Sequence, residues 1–308
     1  MFNPDVINTQ KLKIPWAELQ ACSNFSFLKG GSHPEEYMDR AAFLGLSAVA
    51  IADENSVAGI VRAHTRAREI KRLVAERKSF DSAKGLVGPP SLPQFKRSPS
   101  ANIYNMPRLL PASKIVLCNG FTATLLPKRR EGWRQLCRLI SCGRLRSKKG
   151  TCHIEFEDLL EFGGNQIILV HPPNIFQNSN VKAQWLSQVR KLSQCFLKDV
   201  MLLLAPKYDG QDTTYFANLM HTSIELSLPL VASAAPVMHH GSRRRLTDVL
   251  TAIRLGVRVD NLGRAALINS EQRLRSATEA ARLFKSYPDA LEQTALLLKR
   301  LELSLIHI

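Results

Sequence analysis

A buried strand that runs directly into a long helix constrains the fold of this chain most strongly. The run SAVAIA, residues 47–52, consists of small and β-branched residues without polar alternation, which is typical of a strand covered on both faces of a parallel sheet. It ends in Asp53 and Glu54, and Ser56 then supplies a cap for a helix across residues 57–76. The acidic residues therefore lie at the carboxyl end of the strand, where α/β barrels carry their chemistry.

The alternation of strand and helix recurs along the chain. Ser32 and Glu35 predict a capping box ahead of the first helix, and Asn119-Gly120 between two apolar runs predicts a β-hairpin. Further strands, each followed by a helical pattern, are predicted at 166–170, around 201–206 and at 229–233. The pattern predicts an α/β fold, most economically a barrel with a parallel sheet and a helical C-terminal extension.

Residues 78–108 interrupt this alternation. They contain five prolines and two glycines and show little periodicity of apolar residues. A segment of this composition cannot bury enough apolar surface to offset the entropy of ordering it. We therefore predict a long, exposed, disordered insertion between two parts of the barrel.

The charge balance favours a polyanionic partner. Lys and Arg number 42 against 26 Asp and Glu, a formal net charge of +16, which favours nucleic acid over a membrane surface. No apolar run is long enough to cross a bilayer, and the first residues lack the apolar core of a secretory signal. We expect a cytoplasmic protein whose six cysteines, which show no CxxC spacing, are free thiols.

Two basic clusters are candidate DNA contacts. Residues 128–149 contain nine basic residues and one acid, and an apolar stripe on the same predicted helix would pack on the core. The second cluster opens a later helix, where cations oppose the helix dipole. An ordinary solvated helix face remains the alternative for the first cluster, and the second cluster indicates either an anionic partner or an acidic protein. The candidate residues are Arg129, Arg130, Arg134, Arg138, Lys148, Lys149, Arg243, Arg244 and Arg245.

Five segments in order resemble the N-terminal PHP domain of bacterial error-prone DNA polymerases, which are similar to the alpha subunit of replicative polymerase III. The segments are AELQACSNFSFLKGGSHPEE, AVAIADENSVAGIVRAH, GFTATLLPKRREGWRQLCRLIS, LLLAPKYDG and RRRLTDVLTAIRLG. The resemblance extends from about residue 16 to about residue 301. It implies a distorted (βα)7 PHP-type barrel.

The resemblance also implies a division of the chain. Residues 1–77 and 109–240 would form the barrel, and 78–108 the insertion. Residues 241–302 would extend towards a polymerase palm that this chain lacks, and 303–308 would be a foreign tail. Magnesium is expected only in that palm, so we expect no cofactor here.

Metal-binding members of the family carry a cluster of His, Asp, Glu and Cys ligands at the strand ends. The resemblance places these positions on residues that mostly cannot serve as ligands, and only two acidic residues remain. The positions are Gln20, Cys22, Asp53, Glu54, Lys114, Thr122, Ala235 and Val237. Because two carboxylates hold a divalent metal poorly against water, we expect no metal site.

The remaining polar residues near these positions have simpler interpretations. His239 and His240 follow the last strand, but neighbouring residues point in different directions and cannot both face one ion in regular structure. We expect them to be exposed loop residues. Asp53 or Asn55 is expected to accept backbone N–H groups of the helix that begins near Ser56.

Three functions remain open. The first is a non-catalytic domain of an error-prone DNA polymerase, which would stabilise that enzyme and contact DNA, the other polymerase domains, and accessory mutagenesis or clamp proteins. The parent enzyme would carry out DNA-directed DNA synthesis in damage-tolerant repair. The alternatives are a metal-dependent PHP phosphoesterase or proofreading nuclease, and a free-standing nucleic-acid-binding module. The residues at the metal positions favour the first function over the phosphoesterase or nuclease. The downstream sequence of the gene would separate the first function from the third.

Overall fold

A curled seven-stranded sheet organises the protein. The computed structural model describes residues 15–83, 106–173 and 179–303. The strands are β1 (Ala17–Ala21), β2 (Ala48–Glu54), β3 (Arg108–Val116), β4 (Thr122–Pro127), β5 (Gln166–Val170), β6 (Val200–Leu204) and β7 (Leu230–Ala232). They lie in sequence order across the sheet, and each is hydrogen-bonded to the next.

Helices connect most of the strands and continue after the last one. They are α1 (Pro34–Leu44), α2 (Ala58–Ala83), α3 (Arg130–Leu145), α4 (Phe156–Phe162), α5 (Ser179–Phe196), α6 (Asp212–Leu226), α7 (Arg244–Leu255), α8 (Ala277–Leu283) and α9 (Pro288–Arg300). In the described ranges, no helix is long and apolar enough to span a bilayer. The fold is a curled half-barrel with a helical C-terminal part, which confirms the predicted architecture.

The strand directions explain the distortion of the barrel. The strands from β1 to β3 and from β5 to β7 pair in parallel, whereas β4 is antiparallel to both of its neighbours. The β3–β4 hairpin turns at Asn119-Gly120, where Gly120 has a φ of 85° that favours glycine. The hairpin prediction is therefore confirmed.

Two apolar layers cover the two faces of the sheet. Side chains such as Val49 and Ile168 pack outward against the helices, and their strand neighbours pack inward. The inner layer consists mainly of small and aliphatic residues, including Ala50, Ala112 and Leu169. Burial on both faces explains the continuous apolar runs in the sequence.

Helix α9 closes the inner layer and covers an edge strand. Its Leu297 belongs to the inner core, together with Leu301, which follows the helix. Thr294 Oγ1 accepts the Ala232 N–H at 3.1 Å and donates to the Ala232 carbonyl at 3.0 Å. The helix thereby satisfies part of the edge of β7, which would otherwise offer unpaired backbone groups.

Several predicted boundaries and caps differ from the structure. The capping box of α1 lies one residue later than predicted, with His33 N–H donating to Glu36 at 2.8 Å, because Ser32 is bound to His239 instead. Helix α2 extends to Ala83, beyond the predicted start of the insertion. The insertion residues 84–105 and the tail residues 304–308 lie outside the described residues.

Candidate functional site

The carboxyl ends of the strands bring together most residues at the predicted metal positions. Gln20 lies near the end of β1 and Cys22 directly follows it. Asp53 and Glu54 end β2, and Lys114 lies near the end of β3. Neighbouring strands align these residues, since Glu54 pairs in register with Lys114. The predicted location is therefore the mouth of the half-barrel.

Asp53 is held by the loop between β1 and α1. Its carboxylate accepts the Ser23 N–H at 2.8 Å, the Ser23 hydroxyl at 2.7 Å and the Ser26 hydroxyl at 2.8 Å. Burial raises the pKa of Asp53, and the hydrogen bonds from both serines oppose this rise. The Asp53 carboxylate oxygens thus stabilise the conformation of the loop between β1 and α1.

Asn55 and Glu54 also have structural partners. The Asn55 side chain pairs with the Val116 backbone, and Ser56 Oγ accepts the Ala58 N–H at the start of α2. The expectation that Asp53 or Asn55 caps α2 is therefore wrong, because the adjoining loop and β3 offer closer donors. Glu54 Oε1 accepts a hydrogen bond from Lys29 Nζ at 2.6 Å.

Lys114 places a positive charge near the position where the family resemblance predicts a glutamate ligand. It is half-buried and lies beside Thr124 on the antiparallel neighbour strand. Burial and the Asp53 carboxylate raise the pKa of the Cys22 thiol to about 11, and Lys114 partly offsets this rise. A neutral thiol beside a fixed cation disfavours the binding of a divalent cation.

A chain of neutral hydrogen bonds crosses the mouth. Thr124 Oγ1 donates to Gln20 Oε1 at 3.0 Å and contacts His171 Nε2 at 2.9 Å. Burial, reinforced by the nearby Lys114 charge, lowers the pKa of His171 well below its usual value. Sequence reasoning missed His171, although its position directly after β5 resembles that of the acidic residues at the end of β2.

Glu18 is a second residue that the sequence did not reveal. It is fully buried beside a register shift in the β1–β2 pairing. Its carboxylate accepts the Gln20 N–H at 2.9 Å, the Ala234 N–H at 3.0 Å and a short hydrogen bond from the Ser233 hydroxyl. Burial raises the pKa of Glu18 despite these donors.

Glu18 therefore joins the first strand to the segment after the last one. The Cys22 N–H donates to the Pro236 carbonyl at 2.9 Å, and the Tyr37 hydroxyl contacts both the Cys22 and Pro236 carbonyls. No β1–β7 ladder forms among the described strands. Side chains and the backbone hydrogen bonds Cys22–Pro236 and Gly31–Val237 join the segments that follow the two edge strands instead.

The remaining predicted positions contribute little metal-binding chemistry. The Thr122 hydroxyl donates to the Gly120 carbonyl at 3.3 Å. Ala235 has no donor side chain, and Val237 exchanges backbone hydrogen bonds with Gly31 and Gln272. Across the described ranges, no three His, Cys, Asp or Glu side chains gather as a metal site.

The two adjacent histidines have separate local roles. His239 is half-buried, contacts Ser32 Oγ through Nδ1 at 2.8 Å, and has a pKa lowered to about 4, mainly by burial. This burial corrects the expectation of an exposed loop residue, because Ser32 and Glu36, at the start of α1, both contact the ring. His240 is exposed and accepts the Ser242 N–H at 3.3 Å, which caps a short turn.

The first basic cluster lies along α3. Leu136, Ile140 and the partly buried Trp133 belong to the apolar core, as predicted, and Cys137 is half-buried. Six candidate residues face solvent: Arg129, Arg130, Arg134, Arg138, Lys148 and Lys149. Glu302 engages Arg129, and Glu131 engages Arg134. Arg130 and Arg138 have no acidic partner in the part of the chain that the structure describes.

The second basic cluster is less available for a contact with DNA than the first. Arg243 forms an ion pair with Glu36 of α1, and Arg244 donates to the Leu267 carbonyl at 2.7 Å. Only Arg245 of the three is exposed. This cluster lies at the start of α7, whereas the first lies along α3, so the two basic clusters are on different helices.

Comparisons with known proteins extend these observations. The chain is 36% identical over 287 residues to the error-prone DNA polymerase of Ruegeria pomeroyi, covering 91% of this chain and 25% of the relative. It is 34% identical over 285 residues to that of Rhodopseudomonas palustris strain BisB5, covering 92% and 22%. The chain therefore spans about a quarter of the length of these relatives.

Solved structures show more distant similarity. An amidohydrolase from Chromobacterium violaceum has a TM-score of 0.43 and 11% identity, covering 72% of this chain and 87% of that one. A lesion-specific endonuclease from Pyrococcus furiosus has a TM-score of 0.39 and 12% identity, covering 72% and 48%. The family model for the PHP domain matches residues 18–180, which include the described ends of β1, β2, β3 and β5 but not the segment after β7. The chain belongs to the PHP domain family and matches the N-terminal region of error-prone DNA polymerases.

Proposed function

We propose that this chain is the non-catalytic PHP domain of an error-prone DNA polymerase, which carries out DNA-directed DNA synthesis in damage-tolerant repair. The match to error-prone polymerases over more than nine-tenths of the chain supports the parent activity. In this proposal the domain stabilises the polymerase and contributes contacts to DNA. Catalytic magnesium belongs to polymerase regions outside this chain.

One observation carries the non-catalytic part of the proposal. The mouth of the half-barrel holds the cation Lys114, while Asp53 and Glu54 are already bound by serines and Lys29. A metal-dependent phosphoesterase needs several ligands that converge on shared ions and generate hydroxide. Here the polar side chains of Gln20 and His171 are both hydrogen-bonded to Thr124. In this proposal they stabilise the fold at the mouth of the half-barrel instead of binding an ion.

The basic face of α3 supports the DNA contact. Arg130 and Arg138 are exposed residues separated by two turns, and Lys148 and Lys149 follow the helix. Such groups neutralise backbone phosphates and release counterions without reading bases. The proposed contact is therefore independent of DNA sequence and weak at physiological salt.

An activity assay tests the proposal against the nuclease alternative. The purified chain is incubated with a 3′-labelled DNA strand and with a phosphomonoester, with Mg²⁺, Mn²⁺ or Zn²⁺ supplied. We expect no turnover. Metal-dependent turnover that Asp53→Asn abolishes, while circular dichroism shows a folded variant, would establish the nuclease or phosphoesterase function instead.

A further inference from the structure

Helix α7 presents its most apolar stripe to solvent. Leu246, Val249, Leu250 and Ile253 are spaced i, i+3, i+4 and i+7, so they share one face of the helix. Leu246, Val249 and Ile253 are exposed, and Ile253 retains 60% of its accessible surface. In an amphipathic helix of a globular protein, this stripe would face the core.

The face of α7 that packs on the domain is small and polar. It buries Thr247, Thr251 and Ala252, and the two threonine hydroxyls donate to carbonyls of the preceding turn. A Cβ atom on Gly31 would lie 2.3 Å from Thr247 Oγ1, so the helix packs very close to the α1 side of the barrel. Leucine or isoleucine would not fit in that interface, and this close packing fixes the outward direction of the apolar stripe.

The exposed apolar surface continues past the end of the helix. The helix ends at Gly256, whose φ of 66° favours glycine, and Leu255, Val257 and Val259 are exposed around this turn. Every residue from 253 to 261 is exposed. Six exposed apolar side chains thus lie within fourteen residues of the chain, with charged residues between them. Large exposed apolar patches on soluble proteins mark interaction surfaces.

Charges around the stripe restrict the kind of partner. Arg245 and Arg254 are exposed beside it, and the exposed Arg258 pairs with Asp260 at 3.4 Å. Asp248 is occupied by the Leu267 N–H and Arg244. Two copies of this surface would bring their arginines together, which disfavours self-association. The aliphatic centre is also unsuited to DNA, because a phosphate backbone offers it no apolar contact.

We propose that the α7 stripe, defined as Leu246, Val249, Leu250 and Ile253, is the docking surface for another domain of a polymerase-length chain. That domain would present an apolar groove with an acidic rim. The inference rests on the function proposed above, and the relatives support it, since about three quarters of each lies outside the matched part. Such a stripe supplies the dry centre of an interface, and the arginines supply its rim.

A chimeric polymerase tests this inference. The matched quarter of the Ruegeria pomeroyi enzyme is replaced by this full chain, and side-chain exposure is compared with the free chain by hydroxyl-radical footprinting. We expect Val249 and Ile253 to lose most of their oxidation in the chimera. Exposed Ile224 on α6 serves as an internal reference for radical dose. In a Leu246→Ser/Ile253→Ser chimera, oxidation of Val249 should return to the level of the free chain.

Equal oxidation of the stripe in the chimera and the free chain would overturn the docking proposal. So would protection of the stripe in the free chain that grows with protein concentration, which indicates a second copy, or protection by a DNA oligonucleotide. DNA synthesis by the chimera reports separately on the proposed function. Synthesis with an exposed stripe would refute docking alone, and a protected stripe without synthesis would count against the proposed function alone.

Discussion

At the scale of single residues, the buried carboxylate of Glu18 is the clearest structural device. Both of its oxygens accept hydrogen bonds, and two of the donors, Ser233 and Ala234, follow the last strand. Removing an acceptor from such a site leaves a buried donor unsatisfied, which is more costly than the net value of the hydrogen bond. Glu18 thus connects the edges of the half-barrel where backbone pairing does not.

We predict that Glu18→Gln lowers the free energy of unfolding by about 1–3 kcal/mol at neutral pH, because an amide N–H₂ must face one of the existing donors. Urea denaturation monitored by circular dichroism measures the change. The matched control is Glu157→Gln on the exposed face of α4, which should stay within about 0.5 kcal/mol of the wild type. Equal effects of the two substitutions would refute the role of Glu18.

His171 gives a prediction on pH dependence. Its folded pKa lies well below the ordinary value of 6.5, so the unfolded chain binds a proton that the folded chain refuses. The stability due to neutral His171 is complete above pH 6.5 and declines as the pH falls from there towards the folded pKa. Because burial and the nearby Lys114 charge keep His171 neutral in the folded state, His171 lowers the free energy of unfolding in mild acid.

The variant His171→Gln should lose this decline. Its stability relative to the wild type should rise as the pH falls below 6.5, by at most about 1.4 kcal/mol per pH unit for one proton. Denaturation series between pH 8 and pH 5, with exposed His221→Gln as the control, measure the difference. Raised pKa values at Glu18 and Asp53 act in the opposite direction, but they are common to both proteins and cancel. Parallel curves for the wild type and His171→Gln would contradict the assignment.

Sequence reasoning located the mouth of the half-barrel but not the bonds within it. Asp53 and Cys22 could be placed at strand ends because continuous apolar runs precede them. Their partners could not be predicted, since Ser23 and Ser26 lie in a loop whose path depends on tertiary packing. Glu18 was hidden because a carboxylate inside an apolar strand is recognised only when the opposite edge of the sheet is known.

At the scale of secondary-structure elements, α9 has a role that no local pattern shows. Leu297 is 1% exposed inside the half-barrel, whereas its neighbour Leu296 is 41% exposed on the same helix. Leu297→Ala should therefore lower the free energy of unfolding by about 2–5 kcal/mol, because a cavity replaces a packed side chain. Leu296→Ala changes helix propensity equally and should stay within about 0.5 kcal/mol of the wild type.

Thermal or urea denaturation of both variants checks this prediction. If Leu297→Ala matched Leu296→Ala, then α9 would not form part of the inner core. The position of Thr294 supports the packed arrangement, because its hydroxyl pairs with both backbone groups of Ala232 at the strand edge.

The elements themselves were largely predictable. Continuous apolar runs identified β2, β5 and β6, and Asn119-Gly120 identified the hairpin, since these signals depend on local burial and turn geometry. The capping residue of α1 was displaced because Ser32 accepts the His239 N–H at 2.9 Å, a contact between distant segments. Local capping rules cannot anticipate such competition for a hydroxyl group.

At the scale of the whole molecule, the net charge of +16 gives a prediction on DNA binding. Replacing Arg130 and Arg138 with Gln should weaken binding to every DNA sequence alike. It should reduce the log–log salt slope by about 1.8, since each lost phosphate contact removes about 0.9. Fluorescence anisotropy with a labelled oligonucleotide at several salt concentrations provides the slope.

The control for this prediction removes the same charge elsewhere. Arg62 and Arg190 form ion pairs with Glu35 and Glu225, so the double substitution to Gln changes net charge equally without touching α3. It should leave the salt slope nearly unchanged. Equal losses in the two double variants would mean that overall charge, rather than the α3 face, attracts DNA.

The central claim is that the mouth of the half-barrel holds structural hydrogen bonds and a lysine at positions where the resemblance to metal-binding PHP domains predicts ligands. Elemental analysis measures this most directly. The purified, folded chain is incubated with Zn²⁺ and Mn²⁺ at pH 8, dialysed extensively and analysed by inductively coupled plasma mass spectrometry. We predict no stoichiometric metal. One or more equivalents per chain, lost in Asp53→Asn, would contradict the claim and restore the phosphoesterase interpretation.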